Sequence, residues 1–130
     1  MPQFLVMLAL AVALVLPSGG VARADGLAGS WSGGGSVHYG DTREKARCKA
    51  RFVLVSGTLH EMRASCATPS GRVDQIATLN RVGDNHYAGS FQNTQYSVTG
   101  SIQATVRGNS LSVRLKGDGG GSGSFNLSRN

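Results

Sequence analysis

Past residue 24 the sequence has no apolar run long enough to cross a membrane and no apolar stripe at helical spacing. It also has no pair of His at i, i+4 and none of the short Cys spacings that hold zinc. No Gly-x-Ser-x-Gly elbow, phosphate-binding Gly loop or paired-carboxylate motif occurs. These gaps point away from a helical fold, a metal centre and the common hydrolases. No cofactor or metal is expected. Carboxylates are scarce, with 7 Asp and Glu against 13 Lys and Arg, so the formal charge is +6. His38, His60 and His86 lie far apart and read as surface or turn residues, while Asp41, Asp74, Asp84 and Asp118 fall in or near turns. Gly117–Gly121 reads as a flexible loop whose lone Asp118 is too little for calcium.

What the chain does have begins at its N-terminus. Phe4 to Leu16 is an apolar run of signal-peptide length, broken by Pro17, Ser18, Gly19 and Gly20. Ala22-Arg23-Ala24 supplies a small-x-small cleavage pattern, so residues 1–24 are expected to be a signal peptide cut before Asp25. The run is preceded by no Lys or Arg, which leaves an uncleaved anchor as the alternative. No Cys follows it to carry a lipid. Removing residues 1–24 leaves 106 of the 130 residues as a single domain, 25–130, and takes the charge from +6 to +5, since Arg23 is lost. The expected location is the periplasm or the extracellular medium, with no membrane span after cleavage.

The remaining chain is rich in Gly and Ser yet alternates with period 2. Tyr96, Val98, Ile102, Ala104 and Val106 share one parity. After Gly108-Asn109 it flips to Leu111, Val113 and Leu115, as a two-residue turn requires. Similar alternation predicts strands over 27–39, 44–55, 58–68, 72–82, 86–92, 95–107, 110–116 and 122–129. A turn at Asn93-Thr94 would set Phe91 opposite Tyr96. Eight strands joined by short loops predict an all-β fold, an eight-stranded antiparallel up-and-down barrel, because closure removes exposed edges. A two-sheet sandwich is the rival.

The two cysteines, Cys48 and Cys66, are expected to form a disulfide in an exported chain. If the second and third strands pivot about Gly57, Cys48 faces Cys66, Ala50 faces Ala64 and Phe52 faces Met62, all on the apolar parity. The opposite face of the second strand then carries Arg43, Lys45, Arg47, Lys49 and Arg51 in one row, with Arg63 nearby and Glu44 and Glu61 as partial offsets. Such a stripe suits an anionic polymer or simply a solvated face. Nucleic acid is not expected, since no aromatics interleave with the cations.

Trp31, the single tryptophan, lies on the inward parity of a strand with Gly29, Gly33 and Gly35. Closure of the barrel would bring Arg129 beside it as a cationic cap for that end. Gly29-Ser30-Trp31 resembles the Gly-x-Trp motif that opens calycin barrels, the lipocalins and avidin-like proteins; in lipocalins an arginine from late in the barrel packs on that tryptophan, a part that the resemblance gives to Arg129 here. It also resembles small uncharacterised exported alphaproteobacterial proteins with a Gly-x-Trp start and two cysteines. A further likeness is to small periplasmic inhibitors of secreted metalloproteases, which insert an N-terminal segment into the protease; Asp25-Gly26-Leu27-Ala28 would be that segment here.

These resemblances imply a non-enzymatic exported binding module of unknown ligand. The interior candidates to touch a small hydrophobic molecule are Trp31, Tyr39, Phe52, Met62, Tyr87, Phe91 and Tyr96, and the same residues would equally make a packed core. Leu79, Val98, Phe125 and Leu127 share the inward parity. The alternative is a protease inhibitor or envelope interaction protein that uses its surface, including the basic stripe.

Overall fold

The computed structural model describes residues 26–93 and 95–130. The expected signal peptide lies outside the described residues. Eight strands follow in order: β1 (Gly29–Tyr39), β2 (Thr42–Ser56), β3 (Leu59–Thr68), β4 (Gly71–Gly83), β5 (His86–Asn93), β6 (Val98–Arg107), β7 (Ser110–Gly117) and β8 (Ser122–Arg129). Each pairs antiparallel with the next, and β1 pairs with β8, so the sheet closes into a barrel. The sandwich alternative is thereby excluded. No described helix is long and apolar enough to cross a membrane.

Tight turns set the register. Five of the seven connections have two residues between the last paired positions: Tyr39↔Thr42, Ser56↔Leu59, Thr68↔Gly71, Gly83↔His86 and Arg107↔Ser110. Gly57 and Gly108 sit in them at φ 55° and 58°, a backbone region that glycine enters without steric cost. The predicted Gly108-Asn109 hairpin has its expected pairs, Val106↔Leu111, Ala104↔Val113 and Ile102↔Leu115.

The connection between β5 and β6 departs from expectation. Phe91 faces Gly100, not Tyr96, and Asn93 faces Val98. The Asn93 side-chain carbonyl accepts from the backbone N–H groups of Gln95 (3.0 Å) and Tyr96 (3.3 Å), and Ser97 takes a positive φ of 53°. This Asn-centred turn holds residues 95–97 out of the ladder, so β6 begins at Val98 and not at 95. At the other boundary, β1 begins at Gly29 and not at 27, because Gly26-Leu27-Ala28 leave the sheet to plug the barrel.

The two poles are packed differently. Near the plugged pole they are bulky: Leu27, Trp31, Phe52, His60, Leu79, Tyr87, Ile102 and Leu111 are almost fully buried. Toward the opposite pole the same strands turn inward Gly35, Ala46, Gly100 and Gly123. Gly33 and Gly35 also let β1 press onto β8, since a Cβ there would meet the carbonyl oxygens of Asn126 and Ser124 at 2.2 and 2.0 Å. One pole is filled by side chains. The other is left open.

Candidate functional site

The plugged pole is held by a small set of polar contacts. The Trp31 indole N–H donates to the Leu27 carbonyl at 2.9 Å. The Arg129 guanidinium stacks 4.1 Å from the Trp31 ring centroid and donates to the carbonyls of Ala28 (3.0 Å) and Gly26. These contacts occupy three of the four residues expected as an inhibitory N-terminal segment: Leu27 is fully buried, and Gly26 and Ala28 are tied to Arg129. Asp25 lies outside the described residues.

At the open pole a cavity of about 530 Å³ enters the barrel. Its wall is built from Val37, Val73, Phe91, Leu115, Phe125 and the Cys66 end of the disulfide, with glycines at 117, 121 and 123. Gly117 and Gly121 bring no side chain into this space, whereas Gly35, Gly100 and Gly123 make room for the rings of Phe125 and Phe91 that form part of its wall. The Cys48–Cys66 bond joins directly opposed residues of β2 and β3, with Cα atoms 4.1 Å apart, and stiffens one side of the wall.

The rim is polar. Glu44 turns inward on the parity of Ala46 and Cys48, and its Oε2 accepts from the Tyr39 hydroxyl at 2.6 Å. Ser70 donates to the other oxygen. These bonds, Ser70 first and then Tyr39, hold the Glu44 carboxyl below the usual carboxylate range, and the bond to Glu44 pushes the Tyr39 hydroxyl up. Gln75, inward from β4, also lines the cavity, and its Oε1 is buried without a hydrogen-bond partner. Glu44 is the one carboxylate of the lining, which contains no Lys or Arg.

Of the seven aromatic and Met candidates, the structure brings Tyr39, Phe91 and Tyr96 to this cavity. Tyr39 and Tyr96 are not interior residues as expected: they are 46% and 60% exposed on the rim. The alternation places a side chain inward only while the strand is laddered, and both stand where the ladder ends. Val98 is likewise more exposed than its parity implied, at 37%. Trp31, Phe52, Met62 and Tyr87 are buried in the core and do not line the cavity.

His60 corrects another expectation. It is fully buried, with its ring edge-on to Tyr87 (centroids 5.3 Å, 84°) and Nδ1 2.8 Å from the Thr58 carbonyl. The basic residues Arg43, Lys45, Arg47, Lys49 and Arg51 do stand on the outer face of β2, all exposed, and Arg63 sits opposite Arg51. Glu44 does not offset them, because it belongs to the inner face; Glu61 remains outside, opposite Val53. Glu44 and Gln75 were legible as polar residues on an apolar parity, and that is the signal that finds the rim and floor.

No protein-family model matches the chain, and no curated protein matches it. Solved structures do. The redesigned β-barrel mFAP1 bound to DFHBI is similar with a TM-score of 0.68 at 13% identity, over 79% of this chain and 94% of that one. The redesigned barrel mFAP0, also bound to DFHBI, gives 0.68 at 13% identity over 79% and 98%. A de novo designed fluorescence-activating β-barrel gives 0.62 at 19% identity over 79% and 93%. At these identities the likeness is one of fold: this chain is a small closed eight-stranded β-barrel of the kind those designs adopt.

Proposed function

We propose that this protein is a non-enzymatic binding module that takes a small hydrophobic molecule into the open pole of its barrel. The observation that carries this reading is the cavity of about 530 Å³, apolar in its wall and polar at its rim, in a barrel whose other pole is plugged. Sites for small molecules commonly have this size and this mixture of surfaces. The designed barrels of similar fold whose structures hold DFHBI support the reading, as a barrel of this size can enclose one small ligand. Export through residues 1–24 belongs to the same proposal, and the disulfide fits an oxidising compartment. So does the calycin-like reading, supported by Gly29-Ser30-Trp31 and by Arg129 stacked on the indole.

The experiment is a titration with N-phenyl-1-naphthylamine, a neutral dye that brightens in apolar surroundings. Saturable brightening is expected, weakened at least tenfold by Val73→Trp, which fills the cavity from β4. Absence of saturable binding, or binding untouched by Val73→Trp in a folded protein, overturns the proposal.

A second reading concerns the outer face. None of the five cations on β2 has a carboxylate within ion-pair distance among the described residues, whose ion pairs are Arg72–Asp74 and Arg81–Asp84. An unneutralised row of this kind supports an envelope role in which the barrel docks on an anionic polymer.

A further inference from the structure

We infer that the open pole selects an apolar molecule carrying a protonated amine, held at Glu44, and discriminates against carboxylates. The inference rests on the cavity reading above and narrows its ligand class.

The argument is one of charge and hydrogen-bond accounting. A carboxylate entering this cavity would leave water without meeting a cation, because no Lys or Arg lines the space although the chain carries 13 of them. Taking an ion out of water with no partner is strongly unfavourable. It would also approach a fixed carboxylate at the rim. His38, the remaining basic side chain at the cavity mouth, pairs with Arg43 on the outward parity of the sheet, opposite to that of Val37 and Glu44.

An ammonium meets the reverse situation. Glu44 is oriented by Tyr39 on one oxygen and Ser70 on the other. A carboxylate offers about four acceptor positions, so accepting these two bonds leaves capacity for further N–H donors. The same two bonds keep Glu44 ionised in neutral solution. Tyr39 and Tyr96 stand at the rim beside it, aromatic neighbours of the kind that cations favour. Farther along the lining, the buried Gln75 Oε1 is an acceptor without a donor, and a second N–H or O–H on the ligand would satisfy it. The ionised carboxylate of the lining and its buried unpartnered oxygen are both acceptors. The outer surface is basic and the inner rim is acidic, so the cationic stripe does not serve this site.

The test uses three probes with one apolar body: decylammonium, 1-decanol and decanoate, each displacing N-phenyl-1-naphthylamine at pH 7.5. Decylammonium is expected to bind at least tenfold more tightly than decanoate, with the alcohol between them. Glu44→Gln should bring the amine to the affinity of the alcohol and leave the alcohol within twofold. Circular dichroism and the melting temperature establish that the variant is folded. Decanoate binding as tightly as the amine, or an amine preference that survives Glu44→Gln, overturns this inference and leaves the cavity reading standing. If none of the three displaces the dye, this inference falls, while the cavity reading is decided separately by the dye titration and Val73→Trp.

Discussion

Arg129 performs three tasks at the plugged pole: it stacks on Trp31, and it donates to the carbonyls of Gly26 and Ala28. A guanidinium does this because its donors are fixed in a plane that can also lie flat on an indole. Losing charge-assisted bonds together with a cation–π contact should cost about 2–4 kcal/mol. Arg129→Ala is therefore expected to lower the unfolding free energy measured in urea by that amount, and Arg129→Lys to recover only a minor part, as a point charge cannot bridge both carbonyls. Equal urea curves for the parent and Arg129→Ala would show that the plug holds without it. At this scale the sequence was readable where two independent clues met. Parity turned Trp31 inward, and closure of the sheet delivered Arg129 to it. Tyr39 and Tyr96 were misplaced because each stands at a ladder's end, where hydrogen bonding to Glu44 or an Asn93-centred turn decides the side chain's direction.

At the level of elements, the β2–β3 hairpin shows how little information fixes a register. Gly57 supplies the turn, and the apolar parity then aligns Phe52 with Met62, Ala50 with Ala64 and Cys48 with Cys66. A one-residue slip would turn every buried side chain outward, so no neighbouring register competes. The irregularity between Leu54 and Ser56 lies beyond the paired cysteines and leaves them in place. Closing a loop with a sequence separation of 18 residues stabilises the fold by about 3 kcal/mol in the chain-entropy view. Reduction, or Cys48→Ser with Cys66→Ser, is expected to lower stability by about that much while amide exchange still reports the same strand pairing. Identical denaturation curves with and without reductant would refute the crosslink. The β5–β6 connection was less legible, since an Asn side chain that accepts backbone N–H groups lengthens a turn without altering hydrophobic alternation.

For the whole molecule the governing feature is segregation of charge and of side-chain size. The barrel aligns Arg43, Lys45, Arg47, Lys49 and Arg51 on the outer face of β2, where alternate residues stand about 7 Å apart. The outward Ser32, Gly34 and Ser36 beside them on β1 leave the row unobstructed on that flank. Retention on immobilised dextran sulfate is expected to fall steeply with salt. Arg47→Glu with Lys49→Glu should reduce affinity at least tenfold in low salt without changing dye binding at the open pole. Unchanged retention would leave the stripe as a solvated surface that keeps strands from associating. Sequence periodicity showed that row and the barrel's closure. The void was not legible, because the same inward list describes a packed core. Only the register reveals that the largest fully buried side chains, Trp31, Tyr87 and Phe52 among them, lie away from the pole whose lining includes Gly117, Gly121 and Gly123.

The plug has a practical consequence. Asn130 donates its backbone N–H to the Ser30 carbonyl at 3.0 Å, and Gly26 lies under Arg129, so residues 26 and 130 are neighbours at the same pole. A fusion partner or surface tether joined there would hang from the base of the cup like a handle and leave its lip clear. A tether at residue 26 or 130 would thus sit at the pole opposite the cavity mouth.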